Sequence, residues 1–132
     1  MLSGEHILVA EDECVIALDL TDTLECAGAV VIGPAATVSE ALRLAMAETL
    51  AARVGIDIPL PPFFEFPVGN MFWARPSALV PLLDLHLGWD DFPAEPVGED
   101  GTIMHALERL LPFCAAKVGL TFATTHIPGI TR

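Results

Sequence analysis

Basic charge is what this sequence has least of. Lysine and arginine together number six against eighteen aspartates and glutamates, a formal net charge of −12 at pH 7, and Lys117 is the one lysine. Such a field repels phosphate backbones and anionic headgroups alike, so nucleic acid is excluded as an expected partner. Cysteine is scarce too: Cys14, Cys26 and Cys114 are odd in number and lack metal-type spacing. They are assigned to packing rather than to a disulfide framework, in keeping with a reducing compartment. Mean hydropathy is +0.57, yet no uncharged apolar run approaches the roughly 20 residues of a spanning helix, so no membrane span is expected. The start, Met1-Leu2-Ser3-Gly4-Glu5-His6, has neither the basic head nor the apolar run of a secretory signal, and the expected compartment is the cytoplasm. Proline is nearly missing from the first part: Pro34 stands alone before Ile58, and ten prolines follow.

What is present is apolar. Hydrophobic residues make up 53% of the 132 positions and charged residues 18%, which excludes intrinsic disorder. Ile7-Leu8-Val9-Ala10 is a continuous apolar run ending in Glu11-Asp12-Glu13, the pattern of a buried parallel strand with acids at its carboxyl end. Ile16, Leu20 and Leu24 recur at helical spacing, and Gly28 is a plausible stop. A second run, Ala29 to Ile32, ends at Gly33-Pro34, after which Thr37-Val38-Ser39-Glu40 matches a capping box before Ala41, Leu42, Leu44 and Ala45. Residues 7–50 therefore read β-α-β-α, an arrangement that implies a parallel sheet with chemistry at the carboxyl ends of its strands.

Beyond the proline-rich stretch around Pro59-Leu60-Pro61-Pro62, Met71-Phe72-Trp73-Ala74 suits a strand and Arg75-Pro76-Ser77 opens a short helix through about Leu85. Strand alternation sends Trp73 to the core and Phe72 to the wall of a subsite. An irregular stretch, His86 to Gly101, carries Trp89 and the acids Asp90, Asp91, Glu95, Glu99 and Asp100, and a loop of this length is commonly functional. Thr102 starts the best helix, with Ile103, Leu107, Leu110 and Leu111 on one face. Gly119 ends it before a strand-like Leu120 to Thr125.

The motifs Ile7-Leu8-Val9-Ala10-Glu11-Asp12-Glu13, Ile16-Ala17-Leu18-Asp19-Leu20 and Gly33-Pro34-Ala35-Ala36-Thr37-Val38 make the first part resemble a response-regulator receiver domain. That resemblance implies Mg²⁺ at Glu11 and Asp12, with Asp57 as the candidate phosphoacceptor. The hydroxyl-bearing fourth strand and the lysine ending the fifth strand of that family have no counterpart, so the receiver half is truncated. Phe66-Pro67-Val68-Gly69-Asn70-Met71-Phe72-Trp73, Asp91-Phe92-Pro93-Ala94-Glu95-Pro96, and Asp100-Gly101-Thr102 through Arg109 make the second part, roughly residues 50–132, resemble rhamnan synthesis F-type proteins. These are glycosyltransferase-like proteins of bacterial surface polysaccharide assembly. The resemblance implies an acceptor-sugar site. Asp100 or Glu95 would be its catalytic base, and Gly69, Trp73, His105, Glu108 and Arg109 its sugar-binding residues. An ordinary helix face is the competing reading for His105 and Glu108, and Arg109 is read equally as a partner of Glu108 or of a loop acid.

The expected architecture is α/β: an incomplete receiver-like, flavodoxin-like β-α-β-α half over residues 1–47, a Pro-rich junction over 48–66, and a mixed α/β fragment of a glycosyltransferase-like domain over 67–132. With the donor-nucleotide half missing, the chain is not expected to catalyse transfer alone. Its expected partners are a carbohydrate acceptor and a second chain, or a copy of itself, covering exposed sheet edges and an open apolar helix face.

Overall fold

In the computed structural model, residues 1–56, 66–67 and 72–124 are described. The fold is α/β. Strand β1 (His6–Ala10) is followed by helix α1 (Cys14–Cys26), strand β2 (Val30–Ala35) and helix α2 (Val38–Arg53). A 3-10 turn (Pro76–Leu79) runs into the short helix α3 (Val80–Leu83), a second 3-10 turn covers Trp89–Asp91, and helix α4 (Ile103–Lys117) closes the series.

The two apolar runs pair in parallel, with His6 opposite Val30 and Leu8 opposite Ile32. β2 does not stop at Ile32 but runs on to Ala35, and the register shifts between Leu8 and Ala10. The extra residue is accommodated at Gly33, whose φ is +103° and where a Cβ would stand 2.8 Å from the Val9 carbonyl oxygen, so only glycine fits. α1 ends as the glycine predicts: the Ala29 N–H reaches the Leu24 carbonyl and the Gly28 N–H the Glu25 carbonyl, a closed C-terminal turn. α4 ends likewise at Gly119 and Leu120, on the Ala116 and Ala115 carbonyls.

The centre of the molecule is α2. Its first turns pack on the sheet through Ala41 and Leu44, against Ile32 and Ala35. Its later turns, Ala47, Leu50, Ala51 and Val54, form the main core with Leu85 and with Ala106, Leu110 and Cys114 of α4. Alanines on both helices at this contact let the two backbones approach closely, and the large side chains Leu44, Leu85 and Leu110 fill the space around them. The apolar face of α4, expected to lie open, is covered by α2. α4 also continues through Pro112, which forgoes the hydrogen bond its N–H would have donated to the Glu108 carbonyl.

Three expectations fail for one reason. Phe72–Ala74 and residues 120–124 take no strand, while Met71 and Thr125 lie outside the described residues. The described sheet has two strands and offers these segments no ladder. Without a ladder the period-2 alternation has no inner face, and Trp73, expected in the core, is 103% exposed. On α1 the buried residue is Ala17; Ile16 and Leu20 stay half exposed because two strands cover little of a helix.

Candidate functional site

The site assembles where the loop before α4 meets the first turn of α2. Thr37 caps α2 by accepting the Glu40 N–H at 3.1 Å, and Glu40 reaches back to accept the Ala36 N–H at 3.1 Å, so the capping box closes one residue earlier than its usual form. The other oxygen of Glu40 accepts from Arg43 Nη2 at 3.3 Å. Arg43 Nη1 donates to Asp100 Oδ2, a contact spanning 57 residues of sequence, and Asp100 Oδ1 accepts the Gly101 N–H at 2.8 Å. Gly101 holds a φ of +79°, and a Cβ on it would lie 3.3 Å from the Ser39 carbonyl oxygen. The missing side chain is what lets the loop close on α2.

One turn into α4, His105 Nδ1 shares a 2.7 Å hydrogen bond with Thr102 Oγ1. A turn further, Arg109 is 8% exposed and lies over the Phe66 ring with its guanidinium carbon 4.8 Å from the centroid. Burial, followed by the nearby Arg43 charge, pushes Arg109 below the ordinary arginine range, against the pull of Glu40 and Asp100; an arginine so shifted still carries its proton. Burial pushes the Asp100 carboxyl up, but the Gly101 N–H, the Arg43 hydrogen bond and charge, and the His105 charge together outweigh it, and the net shift is downward.

Asp100, His105 and Arg109 are thus brought together. Glu108 is half-buried on α4, and among the described residues no hydrogen bond or ion pair joins it to the group. Glu95 is exposed in the loop. Trp73 stands fully in solvent, as does Trp89 at 92%, and Gly69 lies outside the described residues. Phe72, with Leu79, Leu82, Leu83, Leu107 and Leu111, lines an open apolar groove of about 460 Å³.

Glu40 and Arg43 went unread as site residues. Glu40 was visible as a cap, and Arg43 is the lone basic residue among the first fifty, but nothing in the sequence joins it to Asp100.

At the other end of the chain, Glu11 Oε1 accepts the Glu13 N–H at 2.9 Å and Asp12 is exposed. Among the described residues no three His, Cys, Asp or Glu side chains converge to hold a metal ion, and Asp57, which would complete a phosphoryl site, lies outside them. Among the described residues no helix is long and apolar enough to cross a membrane.

The family model for rhamnan synthesis protein F matches residues 34–119. That span begins in β2, contains α2 and ends at the cap of α4, so it takes in every member of the Glu40–Arg43–Asp100–His105–Arg109 group. Two proteins named "Uncharacterized protein WxcX", from Xanthomonas campestris pv. campestris strains B100 and ATCC 33913, are each 40% identical over 84 residues, or 63% of this chain. The matched region spans 12% of the length of those relatives. No solved structure matches.

Proposed function

The chain belongs to the rhamnan synthesis protein F family, and from that premise we propose that it serves surface polysaccharide assembly as an accessory module that contacts an acceptor sugar without transferring one. The observation that carries this reading is the state of Asp100. A general base works best with a pKa near the working pH and a free oxygen. Asp100 has its carboxyl held below the ordinary range, one oxygen on Arg43 and the other on the Gly101 amide. It is a staple between loop and helix. Sugar contact is assigned to the exposed aromatic rings, Trp73 first and Phe72 beside it, since an indole offers a flat apolar plate and an N–H donor. Glu95 and His105 are the polar candidates for orienting hydroxyls.

The test is calorimetric titration of the chain with rhamnose-containing oligosaccharides. Saturable binding is expected in the parent, a loss of about tenfold, near 1.4 kcal/mol, in Trp73→Ala, and no turnover in either. Silence from the parent across the accessible concentrations sinks the reading, and sugar transfer abolished in Asp100→Asn would replace it with catalysis.

A second reading rests on a different observation, the parallel β1–α1–β2 unit with Glu11 and Asp12 at the carboxyl end of β1. It makes the first part a truncated receiver-like module acting by protein contact. Mass spectrometry after acetyl phosphate and Mg²⁺ is expected to show an added phosphoryl group in the parent and none in Asp57→Asn; an unmodified parent removes the phosphorelay.

A further inference from the structure

Helix α1 buries one of its 13 residues, Ala17. Four large aliphatic side chains on it meet solvent: Val15 is 72% exposed, Leu18 56%, and Ile16 and Leu20 are about half exposed. At about 3.6 residues per turn, Val15 stands opposite Ala17, with Leu18 on one flank and Ile16 and Leu20 on the other. An exposed apolar surface rimmed by polar groups is the composition of a protein contact. The rim here has one sign. Asp12 and Glu13 precede the helix, Asp19 and Asp22 follow Val15 along its outward side, and Glu25 lies in the last turn; all five are exposed. No lysine or arginine comes before Arg43, and Arg43 is held by Glu40 and Asp100. Among the described residues none of the five acids enters an ion pair. α1 also lies outside residues 34–119 of the family match, so the sugar reading gives it no task.

We infer that the outward face of α1 docks a basic amphipathic helix of another protein, whose apolar side covers Val15, Leu18, Ile16 and Leu20 and whose lysines or arginines meet Asp19, Asp22 and the acids at the helix ends. Charge selects this occupant. A second copy would set the same unpaired carboxylates against each other, and an anionic bilayer or nucleic acid would be repelled. A basic helix neutralises them while its side chains cover the aliphatic ridge. A helix suits the surface because residues three and four apart, Val15 with Leu18 and Ile16 with Leu20, form ridges that interdigitate with those of a second helix. One face of a helix this short makes a small interface, so the contact is weak and transient. The inference rests on the protein-contact part of the second reading above and not on its phosphoryl chemistry.

The probe is a labelled synthetic helix of about five turns, leucine on one face and lysine on the other, titrated with the whole unphosphorylated chain and followed by fluorescence anisotropy. Saturable binding that weakens with salt is expected, and none for the same peptide with glutamate in place of lysine. Val15→Gln with Leu18→Gln, which changes no charge, is expected to raise Kd about tenfold. Asp19→Asn with Asp22→Asn is expected to raise it severalfold at low salt, whereas Asp84→Asn with Asp90→Asn, an equal change of charge at exposed positions elsewhere, leaves it unchanged. Backbone amide shifts of the parent on adding the peptide are expected in α1, which places the contact even if a variant folds poorly. No binding, binding indifferent to Val15→Gln with Leu18→Gln, equal loss from both aspartate pairs, or shifts confined to the groove beside Phe72 overturns the inference. Because no acetyl phosphate or Mg²⁺ is present, an unmodified parent in the phosphorylation test leaves it standing, and a phosphorylated parent that ignores the peptide removes it alone.

Discussion

At the scale of single residues, the Arg43–Asp100 contact carries the clearest consequences. Both side chains are only partly exposed, 13% and 31%, so removing either leaves its partner poorly solvated, at a cost of about 1–3 kcal/mol. Urea denaturation of Arg43→Ala, Asp100→Asn and the double variant is expected to give a coupling energy well above the zero of an exposed pair. The pH dependence has a definite sign. Because the Asp100 pKa is lowered on folding, its contribution is complete above the ordinary aspartate range, near pH 4, and is lost as pH falls through the lowered value. Asp100→Asn is expected to flatten the acid limb of the stability curve there.

Cys114 shows the opposite case. Burial pushes its thiol up to about 11, only partly offset by the Lys117 charge. The stabilisation from keeping this thiol protonated is complete below the ordinary thiol range, near pH 8.5, and is lost as pH rises from there through about 11. Native labelling with a thiol reagent is expected to modify exposed Cys14 and Cys26 and to reach Cys114 only in denaturant; rapid labelling of all three would contradict the burial. Packing, the role read for all three cysteines from sequence, holds for Cys114 alone.

At the scale of elements, the contact between α2 and α4 holds the molecule together. Leu110 is fully buried in it, and Leu110→Ala is expected to cost about 2–5 kcal/mol in denaturant melts. Ala47 and Ala106, each 0% exposed, sit where the helices approach, and Ala47→Leu is expected to cost about 1–3 kcal/mol by overpacking. A variant as stable as the parent would mean that the alanines do not set the helix spacing. Both helices were legible because their signals are local: the Thr37 cap, the apolar face of α4 and the glycine after it. The strands expected at Phe72–Ala74 and Leu120–Thr125 were misread because a strand is completed by a partner elsewhere, and an apolar-aromatic stretch looks the same with or without one.

At the scale of the whole molecule, the excess of acid governs. Raising ionic strength from about 0.01 M to about 0.1 M shortens the Debye length from about 30 Å to about 10 Å and relieves the self-repulsion of a chain of net charge −12. The melting temperature is expected to rise over that range. A fall would mean that favourable ion pairs such as Arg43–Asp100 outweigh the repulsion.

Composition, charge sign, the order of the first four elements and the residue types at the loop before α4 were written in the chain, because each depends on near neighbours or on simple sums. The union of Glu40 and Arg43 with Asp100, the exposure of Trp73 and the covering of α4 by α2 were not. They depend on which distant segments come within a few ångströms of one another, and that is set by how the alanine-lined helices pack, a property no local pattern contains.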